Sequence, residues 1–308
     1  MKARIFTLLQ QARRTVSGED LSRRLGISRV AVWKHIRQMQ AAGLQISSSA
    51  KGYRLDDVPD TPFPWRFGEL AERVSYFPEI TSTMDKAMEL AVQGARDFSV
   101  VVADRQTRGR GRLKRPWQSE PGGLYFTVTL RPQITPSSSV LVSFAAALDM
   151  VETLRQCCGL ESSVKWPNDI LIGERKIVGI LSQVVNDHDR VQFINVGIGV
   201  NVNNHPEAVG QPAVSVAQLK GGPVSRVALL DFFLQRFRQR LDPGSLTNVI
   251  RDWKANTVTL GRRVRVQTIH ENIEGLAADI DDQGGLILSL DSGEQRTVLY
   301  GDCFHQPG

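Results

Sequence analysis

The chain has 308 residues, enough for two or three domains at about 100–200 residues each, and its 41% hydrophobic, 23% charged composition is that of a soluble globular protein. Its three cysteines (Cys157, Cys158 and Cys303) make no disulfide framework, and with five scattered histidines they exclude a protein-built metal site of zinc-ligand spacing. The net charge of +6 is uneven: residues 1–55 hold eleven Lys/Arg against two acids, a local +9, which leaves −3 for the rest and points to a polyanionic partner for that segment alone.

The N-terminus is interrupted too early by Arg13-Arg14 for a signal peptide. No segment approaches the roughly 20 apolar residues of a membrane span, so the expectation is a cytoplasmic protein without a membrane partner. Ile5, Leu8, Leu9 and Ala12 fall at i, i+3, i+4 and i+7, the period of an amphipathic helix. A second helix starts at Ser17, with Glu19 and Asp20 in its first turn, turns Leu21 and Leu25 inward and ends at Gly26. Ser28 caps a third, with Val32, Trp33, Ile36 and Met39 expected inside, Val30, Ala31, Lys34 and Gln38 on the other side, and Arg29 at its start. Two short helices joined by a glycine-containing turn make a helix-turn-helix, whose second helix enters the major groove.

Leu44–Ile46, a polar turn at Ser47–Gly52 and Tyr53–Leu55 then read as a β-hairpin wing. The candidate DNA contacts are Ser28, Arg29, Val30 and Lys34 on the helix, with Lys51 and Arg54 of the wing against phosphates. A helical protein-interaction module has the same spacing; the local positive charge favours DNA. Pro59, Pro62 and Pro64 read as a semi-rigid linker, giving a DNA-binding domain at 1–58 and a linker at 59–71.

Beyond the linker, strand and helix signals mix. Val74–Phe77 reads as a strand, Thr81-Ser82-Thr83 caps a helix bearing Met84, Ala87, Met88 and Ala91, and Ser99–Ala103 is a buried strand. Leu124, Phe126, Val128 and Leu130 alternate as in a half-buried strand. Val140–Leu154 is helical, and Lys176–Val185 and Gln192–Asn203 are strands about a turn at Asn186–Arg190. This is an α+β domain with a mixed or antiparallel sheet, without dinucleotide-fold alternation or a P-loop.

Four segments stand out. Residues 105–115 carry six cations and two glycines, and Trp117 follows. Such a loop repels itself when empty and is expected to be mobile, folding over an anionic ligand; a nucleic-acid-binding patch fits the same residues. Lys165-Trp166-Pro167-Asn168-Asp169 sets a lysine at a strand end, where it can neutralise a phosphoryl or carboxylate oxygen, or be an ordinary turn beside a core tryptophan. Gly179, in Lys176–Leu181, and Gly197 and Gly199, in Gly197–Asn203, interrupt apolar strands, as glycines do at bulges or where a ligand approaches the backbone. From Gly261 onward, short strands punctuated by glycine turns read as a small β module.

In this order and spacing, these segments resemble the biotin–protein ligase family of the biotinyl/lipoyl ligase fold from about residue 72 to the C-terminus. The N-terminal unit, with Ser28–Ile36 and Lys51–Leu55, looks like that of the bifunctional subgroup that also represses biotin-synthesis genes. The resemblance implies a catalytic domain at 72–256 and an SH3-like β-barrel at 257–308. It implies ATP and biotin as substrates, Mg2+ accompanying ATP, and biotin carboxyl carrier protein and operator DNA as partners, with a homodimer when biotinyl-AMP is bound. Catalytic roles carry over to Lys165, Arg110 and Arg112. Biotin or biotinyl-AMP binding carries over to Ser82, Thr83, Met84, Gln106, Gly109, Arg110, Gly111, Arg112, Trp117, Lys165, Gly179, Gly197 and Asn201.

The departures are Arg108 before the first loop glycine, Leu113-Lys114 in place of Arg-Gly, Gln183 where Glu is frequent and Met84 where Asn is frequent. They raise the alternative of a biotinyl-AMP-binding regulator with weak or lost ligation. A lipoate or octanoate ligase on the same fold is disfavoured by the pairing of Arg110-Gly111-Arg112 with Lys165–Asp169.

Overall fold

A computed structural model of the chain describes residues 1–188, 190–206, 212–241 and 246–306, without the side chain of Lys114. The chain divides into two compact units, Met1–Tyr76 and Phe77–Gly308.

In the first unit, α1 (Lys2–Ala12), α2 (Gly18–Leu25) and α3 (Arg29–Ala41) precede a hairpin of β1 (Gln45–Ser49) and β2 (Gly52–Asp57). Ser17 Oγ accepts from Asp20 N at 3.0 Å and Ser28 Oγ from Ala31 N at 3.2 Å, so both helices of the helix-turn-helix start where their caps predict. Ile5, Leu9, Leu21, Leu25, Val32, Ile36 and Met39 bury one face of each helix in a shared core. Trp33, expected inside with Val32, is instead 50% exposed. At 100° per residue Val32, Ile36 and Met39 share a stripe, and Trp33 falls roughly 90° from its centre, on the side of the helix that carries Val30. The wing is tied to the α1–α2 connection through Val16 and Tyr53, whose backbones exchange bonds of 2.8 and 2.9 Å. A Cβ on Gly52 would lie 2.1 Å from the Val16 carbonyl oxygen, so only glycine allows this approach. The proline-rich stretch also packs into this unit: Phe63 and Trp65 stack at 4.6 Å and are buried in the same core.

The second unit is built on a seven-stranded sheet. In chain order its elements are β3 (Val74–Ile80), α4 (Thr83–Val92), β4 (Ser99–Gln106), β5 (Leu124–Leu130), α5 (Ser139–Cys158), β6 (Ser163–Lys165), β7 (Asp169–Ile172), β8 (Arg175–Asp187) and β9 (Arg190–Val200). The strand order is β3-β4-β5-β9-β8-β7-β6, antiparallel from β4 through β6. Parallel bridges Val164–Thr257 and Lys176–Ala213 give it a mixed character. The expected turn at 186–190 includes residue 189, which lies outside the described residues.

β5 is buried along all seven residues rather than on alternate ones. Both faces of the sheet are covered. Phe126 meets Phe233 of α7 (Arg226–Arg240) on one face at 5.3 Å, while on the other Thr127 Oγ1 donates to Thr83 Oγ1 of α4 at 3.0 Å. Thr129 donates to Asn195 Oδ1 and Tyr125 Oη to the Glu120 carbonyl, both at 2.7 Å, so the polar half of the alternation is buried with its hydrogen bonds made.

By length and composition alone, one segment, Pro136–Cys158, is long and apolar enough to cross a membrane, and most of it is buried inside the protein. It holds the core helix α5, which packs on α7 and on α8 (Val249–Asn256), with Phe144 stacked on Trp253 at 4.7 Å. A five-residue helix, α6 (Val216–Lys220), follows the sheet. The strand-rich C-terminal region consists of β10 (Arg263–Gln267), β11 (Asn272–Ile280), β12 (Leu286–Ser289), β13 (Gln295–Val298) and β14 (Asp302–His305). They form an antiparallel sheet in the order β13-β12-β11-β10-β14. Trp166 Nε1 donates to the Gly284 carbonyl at 2.9 Å, which fastens the β6–β7 turn to this sheet.

Candidate active site

The face of the large sheet that carries α4 also carries a cavity of about 490 Å³, within the range of small-molecule sites. Its wall takes Thr83, Met84, Gln106, Arg110, Gly111, Arg112, Trp117, Gly179, Gly197 and Asn201 from the expected set. Gly109 borders an adjoining cavity with Arg108 and Gln183. Ser82 and Lys165 are buried beside the wall rather than on it.

One end is a hydroxyl–amide cluster. Gln106 Oε1 accepts from Thr83 N at 2.7 Å and Thr83 Oγ1 at 3.0 Å, while its Nε2 donates to Ser119 Oγ at 2.8 Å. Ser82 starts α4 without capping it, and among the described residues its buried Oγ has no hydrogen-bond partner. A buried hydroxyl left unpaired costs about 1–3 kcal/mol unless a ligand completes it. The middle is apolar and close-fitting. Gly179 and Gly199 pair across β8 and β9, and a Cβ on either would come within 2.7 or 2.4 Å of the Trp117 ring. A Cβ on Gly197 would lie 2.6 Å from Met84 Sδ. These glycines make room for side chains of the chain itself. Lys176 Nζ sits 5.3 Å from the Trp117 ring centre and 2.6 Å from Asp169 Oδ1.

The cationic loop does not repel itself, because acids from three other segments meet it. Arg110 pairs with Asp85 of α4 at 2.5 Å, Arg115 with Asp302 of β14 at 2.6 Å and Arg105 with Glu79 of β3 at 2.7 Å. Arg112 Nη1 donates to Asn168 Oδ1 at 3.2 Å, and burial lowers its guanidinium somewhat from its ordinary value, with Asp302 and Asp169 opposing. Trp117 N donates to the Gly109 carbonyl at 2.9 Å and closes the loop on itself. Leu113, one of the departures, sits at φ 49° and is 44% exposed.

Lys165 ends β6 opposite Asp169, and the turn between them contains a cis Trp166–Pro167 peptide. Only 7% of Lys165 is exposed, and among the described residues no carboxylate lies within ion-pair distance of its ammonium. Charge matters here because burial raises its cost. Next to it, Arg262 Nη1 lies 3.3 Å from His305 Nδ1, and His305 Nε2 lies 3.4 Å from Thr259 Oγ1, which accepts from Trp166 N at 3.0 Å. The arrangement fits a neutral imidazole protonated on Nε2.

Burial, reinforced by the charges of Lys165 and Arg262, pushes His305 down to about 4 from the ordinary 6.5. Above pH 6.5 the ring is neutral folded or unfolded; as pH falls from there to 4, only the unfolded chain takes up the proton. Stability is therefore lost across that window, by less than the roughly 3 kcal/mol of the full shift because solvent screens part of it. Urea midpoints of His305→Gln are expected to flatten this part of the pH profile; an unchanged slope would count against the burial of a neutral ring.

Sequence reasoning missed Lys176, Asp302, Cys303 and Phe304 on the wall. The last three arrive from β14, far along the chain from the motifs, and no local pattern marks them. Burial pushes the Cys303 thiol up to about 12, so it supplies no thiolate.

The geometry has counterparts among known proteins. Residues 76–201 match the model of the biotin/lipoate A/B protein ligase family, 259–306 that of the biotin protein ligase C terminal domain, and 2–54 that of an HTH domain. The chain is 34% identical over 297 residues to the bifunctional ligase/repressor BirA of Bacillus subtilis, covering 91% of both chains. The chain belongs to the biotin protein ligase family. A biotin–[acetyl-CoA-carboxylase] ligase of Paracoccus denitrificans is 34% identical over 224 residues, 70% of this chain and 93% of that one. Among solved structures, the Aquifex aeolicus biotin protein ligase in complex with biotin and ATP superposes with a TM-score of 0.66 at 27% identity, over 77% of this chain and all of that one. A match to 91% of this chain is longer than residues 55–308 alone could supply, so it extends into the segment that matches the HTH domain.

Proposed function

We propose that the chain joins biotin to a lysine of a biotin carboxyl carrier protein through biotinyl-AMP, and that it also represses transcription as a biotin-responsive DNA-binding protein. The observation that carries this reading is one cavity lined by Thr83 and Gln106 of the hydroxyl–amide cluster together with Arg110 and Arg112, on a chain that matches an HTH domain at residues 2–54 and is similar to a bifunctional ligase/repressor.

In the first step the biotin carboxylate attacks the α-phosphorus of ATP and pyrophosphate leaves. In the second a carrier lysine attacks the acyl carbon of the mixed anhydride, forming the amide and releasing AMP. The first step brings two anions together, so it needs cations fixed in advance. Arg110 and Arg112 supply them on the wall, Arg110 by exchanging Asp85 for the ligand. Lys165, on a flexible four-carbon stem, brings to the carboxylate and α-phosphate an ammonium that has no ion-pair partner among the described residues. Ser82, Thr83 and Gln106 bind the polar ring of biotin. Met84, Trp117, Gly179 and Gly197 shape the apolar middle, Gly109 and Gly111 let the loop approach, and Asn201 supports the floor.

Mg2+ belongs with ATP. Among the described residues no group of three or more His, Cys, Asp or Glu is placed to hold a metal. The wall carboxylates Asp169 and Asp302 are hard oxygen ligands, which suit a Mg2+ held mainly by phosphates and water. When bound, the ion offsets negative charge on the phosphates. We place the protein in the cytoplasm, where ATP and carrier meet, as a homodimer when biotinyl-AMP is bound. DNA reading falls to 1–58, connection to 59–71, chemistry to 72–256 and support of the site to 257–308.

The test is incubation of the purified protein with Mg-ATP, biotin and a carrier domain, read by mass. An ATP-dependent gain of one biotinyl group is expected. No gain, from a protein that biotinyl-AMP still stabilises, would turn the reading to a regulator without ligation.

A further inference from the structure

The outer face of α3 combines two features that rarely go together on a solvated helix. Val30 is 62% exposed and Trp33 50% exposed, and at i and i+3 they stand side by side. Around them Arg29, Lys34 and Arg37 are exposed too, and α3 contains no acidic residue. The ligase chemistry uses none of these side chains.

An apolar pair ringed by cations fits a surface that is negative overall and carries isolated apolar points. The major groove of DNA is such a surface. Between its phosphates the base edges present hydrogen-bonding groups and one apolar group, the C5-methyl of thymine. Val30 lies in the first turn of α3, where a recognition helix reaches base edges, and Trp33 lies one turn further along the same face. Arg37 stands four residues beyond Trp33 and Lys34 four beyond Val30, so cations flank the pair as phosphate rows flank the groove. Ser28, bound to Ala31 N, holds the start of the helix at a fixed place for this contact.

We propose that Val30 and Trp33 read thymine methyl groups in the major groove and so set the base preference of the helix-turn-helix. The proposal rests on the DNA-binding reading above and deepens it by naming the feature read. The full-length protein would be used to select duplexes from a random library, and each thymine of the selected duplex would then be replaced by uracil. That replacement removes a methyl group and leaves base pairing intact.

At one or more positions, uracil is expected to weaken binding about three- to fivefold, the worth of one buried methyl. In Val30→Ala or Trp33→Ala the same replacement is expected to cost nothing, with circular dichroism unchanged because both side chains lie on the surface. A selected duplex in which every uracil is tolerated would overturn the proposal and leave DNA binding standing. Selection of no duplex at all would remove both. A Trp33→Ala protein that keeps the uracil penalty, and changes its self-association instead, would reassign the pair to a protein contact.

Discussion

Lys165→Met is expected to slow biotinyl-adenylate formation by about a hundredfold or more, the usual loss on removing one fixed group that stabilises developing charge. The same substitution is expected to raise the thermal midpoint. The two effects have one cause. Lys165 is 7% exposed, and among the described residues its ammonium has no carboxylate within ion-pair distance. A charge carried on a side chain this buried costs stability that the longer-range attraction of Glu174 offsets only in part, and a methionine of similar length fills the space without that cost. A gain of about 1–2 kcal/mol moves the midpoint by about 2–4 °C per kcal/mol in a protein of this size class.

Pyrophosphate exchange into ATP measures the first step alone, and calorimetry measures the midpoint. A variant that melts lower and exchanges normally would make Lys165 a structural residue of the β6–β7 turn. Lys165→Arg separates charge from fit: the planar guanidinium is wider and does not follow the path of the ammonium, so it is expected to restore little activity.

What was legible in the sequence was what local chemistry determines. The caps at Ser17 and Ser28 and the break at Gly26 place α2 and α3 to within a residue. Ser82, Thr83, Gln106, the arginine loop and the turn after Lys165 are separate segments of the sequence, and the fold gathers them on or beside the wall of one cavity. Long-range packing was not legible. Trp33 looked like core because aromatic residues usually are, and its exposure becomes clear only when the helical stripe of Val32, Ile36 and Met39 is seen to be full. The loop looked self-repelling because Asp85, Glu79 and Asp302, which neutralise it, come from three separate elements. β5 looked half-solvated because its threonines are polar, whereas their hydroxyls bond to Thr83 and Asn195 inside the protein.

The glycines of β8 and β9 lead to the second large effect. Gly199→Ala is expected to weaken biotin binding by tenfold or more while costing only about 1–2 kcal/mol of stability, since a strand gains slightly from alanine over glycine and loses more from overpacking. A Cβ at 199 would sit 2.4 Å from Trp117 Cε2 and Nε1, so the ring must leave the wall. With it goes the segment it anchors, because Trp117 N closes the loop onto the Gly109 carbonyl, and Arg110 and Pro116 bridge across that closure.

A double-mutant cycle identifies the cause. If Gly199 exists to seat Trp117, then Gly199→Ala added to Trp117→Ala costs no further affinity and slightly raises stability. If it exists to let the ligand approach the backbone, as the sequence pattern alone suggests, the added alanine lowers affinity by the same factor in either background. Titration calorimetry with biotin, together with melting of the four proteins, decides between them. The 2.4 Å overlap with the indole ring predicts strong coupling between the two substitutions.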